Sequence, residues 1–521
     1  MKKEELDEII SNTDEKILGK AENVKQKRGI TVFRIAAVAA LFAVLFAVFA
    51  LPMMNRPGVT PPDTPPTEEQ VTSGTADTVR RPDDQNTWAV GKDTEEAVTI
   101  EEFIATYGKF LHYDPVYPTQ TVITSNDIEA AYEAFNSAYE ARQAHYGYGK
   151  DLGTFFNNVT KAVKEYARLS GKTNVVLSPL NIYMGLSLIG EMTKGETQKQ
   201  IFDVLKVNSL EQLRTKTRNI WLAHYCDNGT YKSLLANSVW LDNDNEYVTF
   251  NEDKIKTVQD EYYASAFSGD LQSDDFIKVF RTWMNDQTGG SLKDMIDGIK
   301  ITPETIMLIA STVDFSARFE ALYAAEQGVF KNGTSNIKCT FNKSEFWGED
   351  MYFGNGFNAY AAELENNAGR MWYILPDEGY TVDEILDKLD LYDLQRTIPA
   401  TRVKCGKLTV KMPQLDVALQ TDLKETLPSL GITECFNFSY DFAPTVNTGI
   451  YPVCVGQALH GARVMTDEKG VVGSAFTFFA LELGSVPPEG DEYEFIVDRP
   501  FIFVIESDDG LPLFVGIVNE P

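Results

Sequence analysis

The sequence predicts an α+β fold with more than one β-sheet, and three observations lead there. Beyond residue 151, helical runs such as GTFFNNVTKAVKEYARL (153–169) are mixed with strand-like runs such as SLLANSVWL, KLTVKM, YEFIV and FIFVI. The two kinds do not alternate regularly, and neither glycine-rich phosphate loop occurs, which disfavours a parallel βαβ sheet. The segment 151–521 is also longer than one hydrophobic core normally fills, so its strands should divide among several sheets.

The elements before residue 151 are read in chain order. Residues 1–34 hold eight basic and seven acidic groups, leaving a charge of −30 on residues 35–521 out of a total of −29. Residues 35–54, IAAVAALFAVLFAVFALPMM, carry no charge. A helix of that length spans about 30 Å, the hydrocarbon thickness of a bilayer. Lys20, Lys25, Lys27, Arg28 and Arg34 precede it, whereas only Arg56 is basic in the next twenty residues. The positive-inside rule then places 1–34 in the cytoplasm and the rest outside. Val48-Phe49-Ala50 would suit a signal peptidase, but a basic stretch of over thirty residues favours an uncleaved anchor.

Residues 55–94 are rich in Pro, Thr and acid, the composition of a solvated stalk. Residues 95–150 are partly helical and unassigned. DIEAAYEAFNSAYEARQAHYG has alanines and aromatics at helical spacing, either a second small element or an extension of the domain that begins at Asp151. Residues 151–521 form the main domain.

Composition excludes several functions. The acid excess rules out nucleic-acid binding by the bulk of the chain, because phosphate contacts need a basic footprint. The four histidines lie far apart without metal-ligand spacing, and the five cysteines form no CxxC. No metal or other cofactor is expected. No enzyme is expected either, since GxSxG is absent and Ser178-Pro179 reads as a helix start. His460 opens a strand-like run and reads as a buried, hydrogen-bonded residue.

Four stretches of the main domain occur in a telling order. The first is NVVLSPLNIYMGLSLIGEMTKGETQKQIFDVL (174–205), in which Ser178-Pro179 opens a helix and Gly195-x-Thr197 marks a turn. WMNDQTGGSLKDMI (283–296) and LIASTVDFSARF (308–319) come second. MWYILPDEG (371–379) and DLKETLPSLGITECF (422–436) form the third, and FIVDRPFIFVIESDDGLPLFVGIVNEP (495–521) closes the chain around Asp498-Arg499-Pro500-Phe501. In this order they resemble the serpin (serine protease inhibitor) family over essentially all of 151–521. The resemblance implies three β-sheets, about eight to nine helices and an exposed reactive-centre loop. It places Ser178, Asn181, Ser311 and His460 in the region where the central sheet opens. Asn181 stands where a second serine is usual, Ser311 where asparagine is common, and Phe319 where tryptophan is. The short basic tail, single anchor and stalk point to a bacterial surface protein.

The segment between His460 and Asp498 decides function. On its own it is a strand-like run, a long glycine- and proline-bearing connector and another strand, and connectors of that length invite a functional reading. The resemblance makes it bait for a serine protease, the partner expected here in covalent acyl complex. It also aligns Glu468-Lys469-Gly470 with the family's hinge.

If the loop enters a sheet after Gly470, alternation puts Val471, Gly473, Ala475 and Thr477 on one face, small and uncharged. Val472, Ser474, Phe476 and Phe478 take the other. Residues 470–481 contain no proline and no charge, so strand propensity is good. Val471 replaces a usual threonine, and the phenylalanines replace an alanine-rich run. The resemblance, with the family's cut about fourteen positions past the hinge glycine, implies a scissile bond at Gly484–Ser485, which suits a protease of elastase type. A cut one residue earlier, after Leu483, would suit chymotrypsin-like or subtilisin-like enzymes. The expectation is a monomeric suicide inhibitor; the alternative is a non-inhibitory serpin acting as a cell-surface binding or adhesion module.

Overall fold

The structure, a computed structural model, describes residues 111–118, 120, 128–228, 231–333, 335–471 and 490–521. The tail 1–34, the apolar run 35–54 and the stalk 55–94 lie outside the described residues. Among the described residues no helix is long and apolar enough to cross a membrane.

The helix Pro179–Met192 is the centre of the architecture. Ser178 caps it by accepting a hydrogen bond from the Asn181 amide at 3.2 Å, and Pro179 occupies the first turn, where its missing N–H costs nothing. Eleven of its residues are buried, so it is apolar on nearly every side. Such a helix must be enclosed, and it packs against strands of two different sheets, Met307–Arg318 and Pro512–Val518.

The central sheet has six strands. Lys232–Asp242 lies at its middle, parallel to Ala264–Gly269 and antiparallel to Met307–Arg318. Every residue of Lys232–Asp242 after the first is buried, as befits a strand covered on both faces. The helix Asp274–Gln287 covers one face. Its Phe276, Phe280 and Trp283 gather around Trp240, which stacks on Phe267 at 3.8 Å.

A seven-stranded sheet contains Gly369–Pro376, Phe501–Glu506 and Pro512–Val518, all three buried throughout. A four-stranded sheet pairs Glu492–Ile496 parallel to Lys407–Pro413. Two two-stranded ribbons complete the described set. These ribbons, Asp416–Asp422 with Leu459–Met465 and Thr249–Phe250 with Val446–Asn447, take the count to five, above the three sheets expected. No strand pairing among the described residues joins Leu459–Met465 to Met307–Arg318 directly. The helix count also exceeds the eight to nine expected. Eleven α-helices occur among the described residues, because four of them are single turns of four or five residues that carry little periodic signal.

Of the described residues before 151, residues 111–118, 120 and 133–150 belong to this same compact unit. Leu111–Tyr113 adds an antiparallel strand to the free edge of Ala264–Gly269. Asp114 accepts a hydrogen bond from Ser265 Oγ at 2.7 Å, and Gln120 accepts one from the Asp227 amide at 3.0 Å. Tyr117 stacks on Trp221 and Tyr225 at 5.8 and 5.5 Å. Farther on, the helix Ile128–Gln143 brings Tyr139 to donate to Asp508 at 2.5 Å, and the Gly147 amide donates to Asp509.

Tyr117→Ala removes the outer ring of an aromatic stack and should cost about 1–2 kcal/mol. The expected result is a thermal midpoint several degrees lower at a fixed scan rate; an unchanged midpoint would deny this segment any structural weight.

Candidate functional site

The site begins at the end of strand Leu459–Met465. Asp467 turns the chain: its carboxylate accepts from the amides of Lys469 at 2.8 Å and Gly470 at 3.0 Å, and its own amide donates to Gly470 O at 3.0 Å. This is an Asx turn, which aspartate supplies because its short side chain reaches the backbone two residues on. The turn reverses direction, so Val471 pairs antiparallel with Thr466. On its other side the chain pairs antiparallel with Met307–Arg318, Gly470 opposite Arg318 and Val471 opposite Ala317. Phe319 N–H donates to Lys469 O at 2.9 Å. Gly470 and Val471 are therefore the one strand pairing, among the described residues, between the two parts of the central region.

Glycine is required at 470 by contact rather than by conformation. A Cβ there would lie 2.2 Å from Ala317 O and 2.7 Å from Arg318 Cα, both backbone atoms that cannot swing aside. Val471 is 6% exposed and belongs to the main hydrophobic core. Glu468 accepts from Gln414 Nε2 at 3.3 Å, and the same nitrogen donates to Asn342 at 3.0 Å. Asn342, fully buried, donates in turn to Asp467 O at 2.7 Å. Residues 472–489 lie outside the described residues, and with them Gly473, Ala475, Thr477, Leu483, Gly484 and Ser485. The chain resumes at Gly490, whose carbonyl lies so close to Gly406 that a Cβ at 406 would meet it at 2.2 Å.

Of the four residues placed where the sheet opens, three lie together. His460 Nε2 accepts from the Ser178 amide at 3.0 Å, directly at the cap shared with Asn181. His460 is 4% exposed, and burial pushes its pKa down to about 4, so the ring is neutral at pH 7. Ser311 lies on Met307–Arg318 opposite Asn237 and makes no hydrogen bond to the other three. Its Oγ is buried without a hydrogen-bond partner, as are Asn237 Oδ1 and Thr421 Oγ1, and Thr421 pairs with His460 in the neighbouring ribbon. Orphaned hydroxyls thus sit on both sides of the division in the sheet, each costing about 1–3 kcal/mol of lost hydrogen bonding.

Sequence reasoning missed Asp467, Asn342, Gln414 and Thr421. Asp467, two residues before Lys469-Gly470, carries a turn signal that could have been read. The other three act through distant pairing and leave no local signature.

None of these groups forms a nucleophile–base pair, and no cluster of metal-ligating side chains occurs among the described residues. What the arrangement can do is mechanical: it starts a strand.

Two outcomes check this geometry. Gly470→Ala should displace the hinge from Ala317 and speed hydrogen exchange at the Phe319 amide at least tenfold; unchanged exchange would mean the close approach is not made. His460 is held neutral, its folded pKa below the ordinary 6.5, so its contribution is complete above about pH 6.5 and is lost as pH falls toward 4. That loss amounts to about 3 kcal/mol. Wild type should lose stability more steeply than His460→Gln between about pH 6.5 and 4.5, and equal slopes would refute the assignment.

Comparison with known proteins agrees with this architecture. The family profile described as Serpin (serine protease inhibitor) matches residues 157–521. Serpin-ZX of Arabidopsis thaliana is 26% identical over 373 residues, covering 68% of this chain and 93% of its own. Alpha-1-antiproteinase 2 of Equus caballus is 26% identical over 372 residues, covering 69% and 84%. The native-state crystal structure of the thermophilic serpin tengpin superposes with a TM-score of 0.60 at 24% identity, over 71% of this chain and 94% of that one, a likeness of fold. With the profile spanning well over half the sequence, and a started strand at the head of its divided central sheet, the chain belongs to the serpin family.

Proposed function

We propose that this serpin is a suicide inhibitor of serine proteases of elastase-like or subtilisin-like specificity, acting as a monomer outside the cell from a single membrane anchor at residues 35–54. The observation that carries the reading is the strand start at Gly470 and Val471, which pair with Arg318 and Ala317, Val471 also facing Thr466, together with a following sequence in which the positions alternating with Val471 are small and uncharged. Alternation extends the buried face of Val471 to Gly473, Ala475 and Thr477, none of which brings a charge into the interior.

The chemistry belongs to the target. Its serine Oγ attacks the Gly484 carbonyl, or that of Leu483; an ester forms, the amide bond to the next residue breaks, and the freed amine leaves with a proton. Once cut, the loop is no longer held at Gly490 and can continue down the strand already begun. The anchor and the extracellular side rest on the uncharged span and on the basic residues before it. The acidic outer portion favours cationic proteases through long-range attraction.

Incubation with a panel of serine proteases should yield an SDS-stable complex and a C-terminal fragment whose mass begins at Ser485 or Gly484. Ala475→Glu should convert inhibitor to substrate, raising the moles consumed per mole of protease at least tenfold, because a carboxylate would have to enter the sheet. Simple digestion of wild type, or undiminished inhibition by Ala475→Glu, would favour the non-inhibitory binding module instead.

A further inference from the structure

The chain ahead of residue 157, where the family profile begins, supplies eight of the twelve residues that line a cleft. Along the helix Ile128–Gln143, Phe135, Ala138 and Arg142 recur at i, i+3 and i+7 and so share one face. His145 continues that stripe in the turn that follows. Ala138 and Ala141 project no further than a methyl group, so this face does not close on the neighbouring helix Leu210–His224. A cleft of about 280 Å³ remains between them, with Leu222, Tyr225 and Cys226 on its other wall. That volume suits a small organic molecule and far exceeds what one or two waters need.

The polarity of the cleft has a sign. None of the twelve lining residues is acidic, in a chain of net charge −29. Arg142 brings a permanent positive charge. Its guanidinium lies 5.8 Å from the Tyr139 ring and 5.3 Å from that of Tyr231, and it forms no ion pair among the described residues. Two acids on the far side of the helix are already engaged: Asp508 accepts from Tyr139 OH, and Asp509 accepts from Ser507 and faces His224. His145 adds a second polar group. Asn219 Nδ2 donates to Thr215 O at 2.7 Å, which turns Asn219 Oδ1 toward His145 Nδ1, also at 2.7 Å. Nδ1 therefore carries the ring proton, and Nε2 has no partner among the described residues. Gln120 serves the wall itself, accepting from the Asp227 amide and donating to Pro118 O. Burial pushes the Cys226 thiol up to about 11, so that side of the cleft stays neutral.

We infer that this cleft binds a small organic anion: a flat apolar body bearing one carboxylate, the carboxylate paired with Arg142 and the body covered by Phe135, Leu222 and Tyr225. Charge selects this class. A cation would find no acid to meet, and a neutral apolar molecule would strip water from the guanidinium without replacing it. The planar fork of arginine matches a carboxylate through two parallel hydrogen bonds. An N–H or O–H on the body has an acceptor in His145 Nε2. The site goes beyond the inhibitory reading above and does not depend on it. An anion held there links the segment before residue 157 to the helix Leu210–His224 and stabilises the folded chain by mass action.

Titration calorimetry of the full chain tests this with indole-3-acetate, whose ring carries an N–H, and with indole-3-acetamide, the same body without the charge. The acid should bind wild type at least tenfold more tightly than the amide. Arg142→Gln should bring the two ligands to equal affinity. Ala138→Leu puts a larger side chain into the cleft and should abolish binding of both, with the thermal midpoint retained. Bound indole-3-acetate should also slow hydrogen exchange at the Asp227 amide, which Gln120 holds at the wall.

Equal affinity of wild type for acid and amide would refute the recognition of an anion. Failure of both to bind, or binding that Ala138→Leu leaves intact, would refute the cleft as the site. Should Arg142→Gln fail to fold, the ratio of acid to amide in wild type and the loss in Ala138→Leu decide the outcome by themselves. None of these readouts involves a protease, so failure of the inhibitory reading leaves them unchanged.

Discussion

One backbone contact governs the behaviour of this fold: the approach of Gly470 to the Ala317 carbonyl, too close for any side chain. It lets two residues of a surface loop join a sheet whose two parts are otherwise unpaired among the described residues. The hairpin turn at Asp467, the Asn342–Gln414–Glu468 chain of hydrogen bonds and the burial of Val471 all depend on that approach.

Buried polar groups are answered unevenly. In the body of the molecule, buried charges are fully answered. Glu191 receives Arg214, Lys254 and the Tyr262 hydroxyl, while Glu506 receives Arg370, the Trp372 ring nitrogen and the Leu394 amide. Such clusters resist rearrangement, because breaking one leaves a charge unpaired in the interior. By contrast, several uncharged buried groups keep an unanswered atom, among them Ser311, Asn237 and Thr421 around the central sheet and Thr197 and Asn285 elsewhere.

The fold was legible in the sequence to the extent that it depends on local pattern. Ser178-Pro179 reads as a capped helix start, and the structure supplies the capping bond. FIFVI and MWYILP read as strands because continuous apolar runs suit a sheet buried on both faces. The single-turn helices were not legible, since four residues carry no period. The candidate site was legible as a list of residues and not as an arrangement. Ser178, Asn181 and His460 meet, yet nothing local shows that a histidine 282 residues away accepts the Ser178 amide, or that the Ser311 hydroxyl is left without a partner. The role of 111–120 was hidden for a related reason. Three residues of edge strand and one stacked tyrosine acquire meaning only through the strand and rings they meet.

That short edge strand has a further consequence for solution behaviour. Ala264–Gly269 would otherwise end the central sheet with a row of free amides and carbonyls, a template on which another chain could grow. Leu111–Tyr113 occupies that row at Ala266, Phe267 and Ser268, and at three residues is too short to serve as a template itself. The chain thus caps its own sheet. The border of the central sheet is thereby guarded against a strand from a neighbouring molecule.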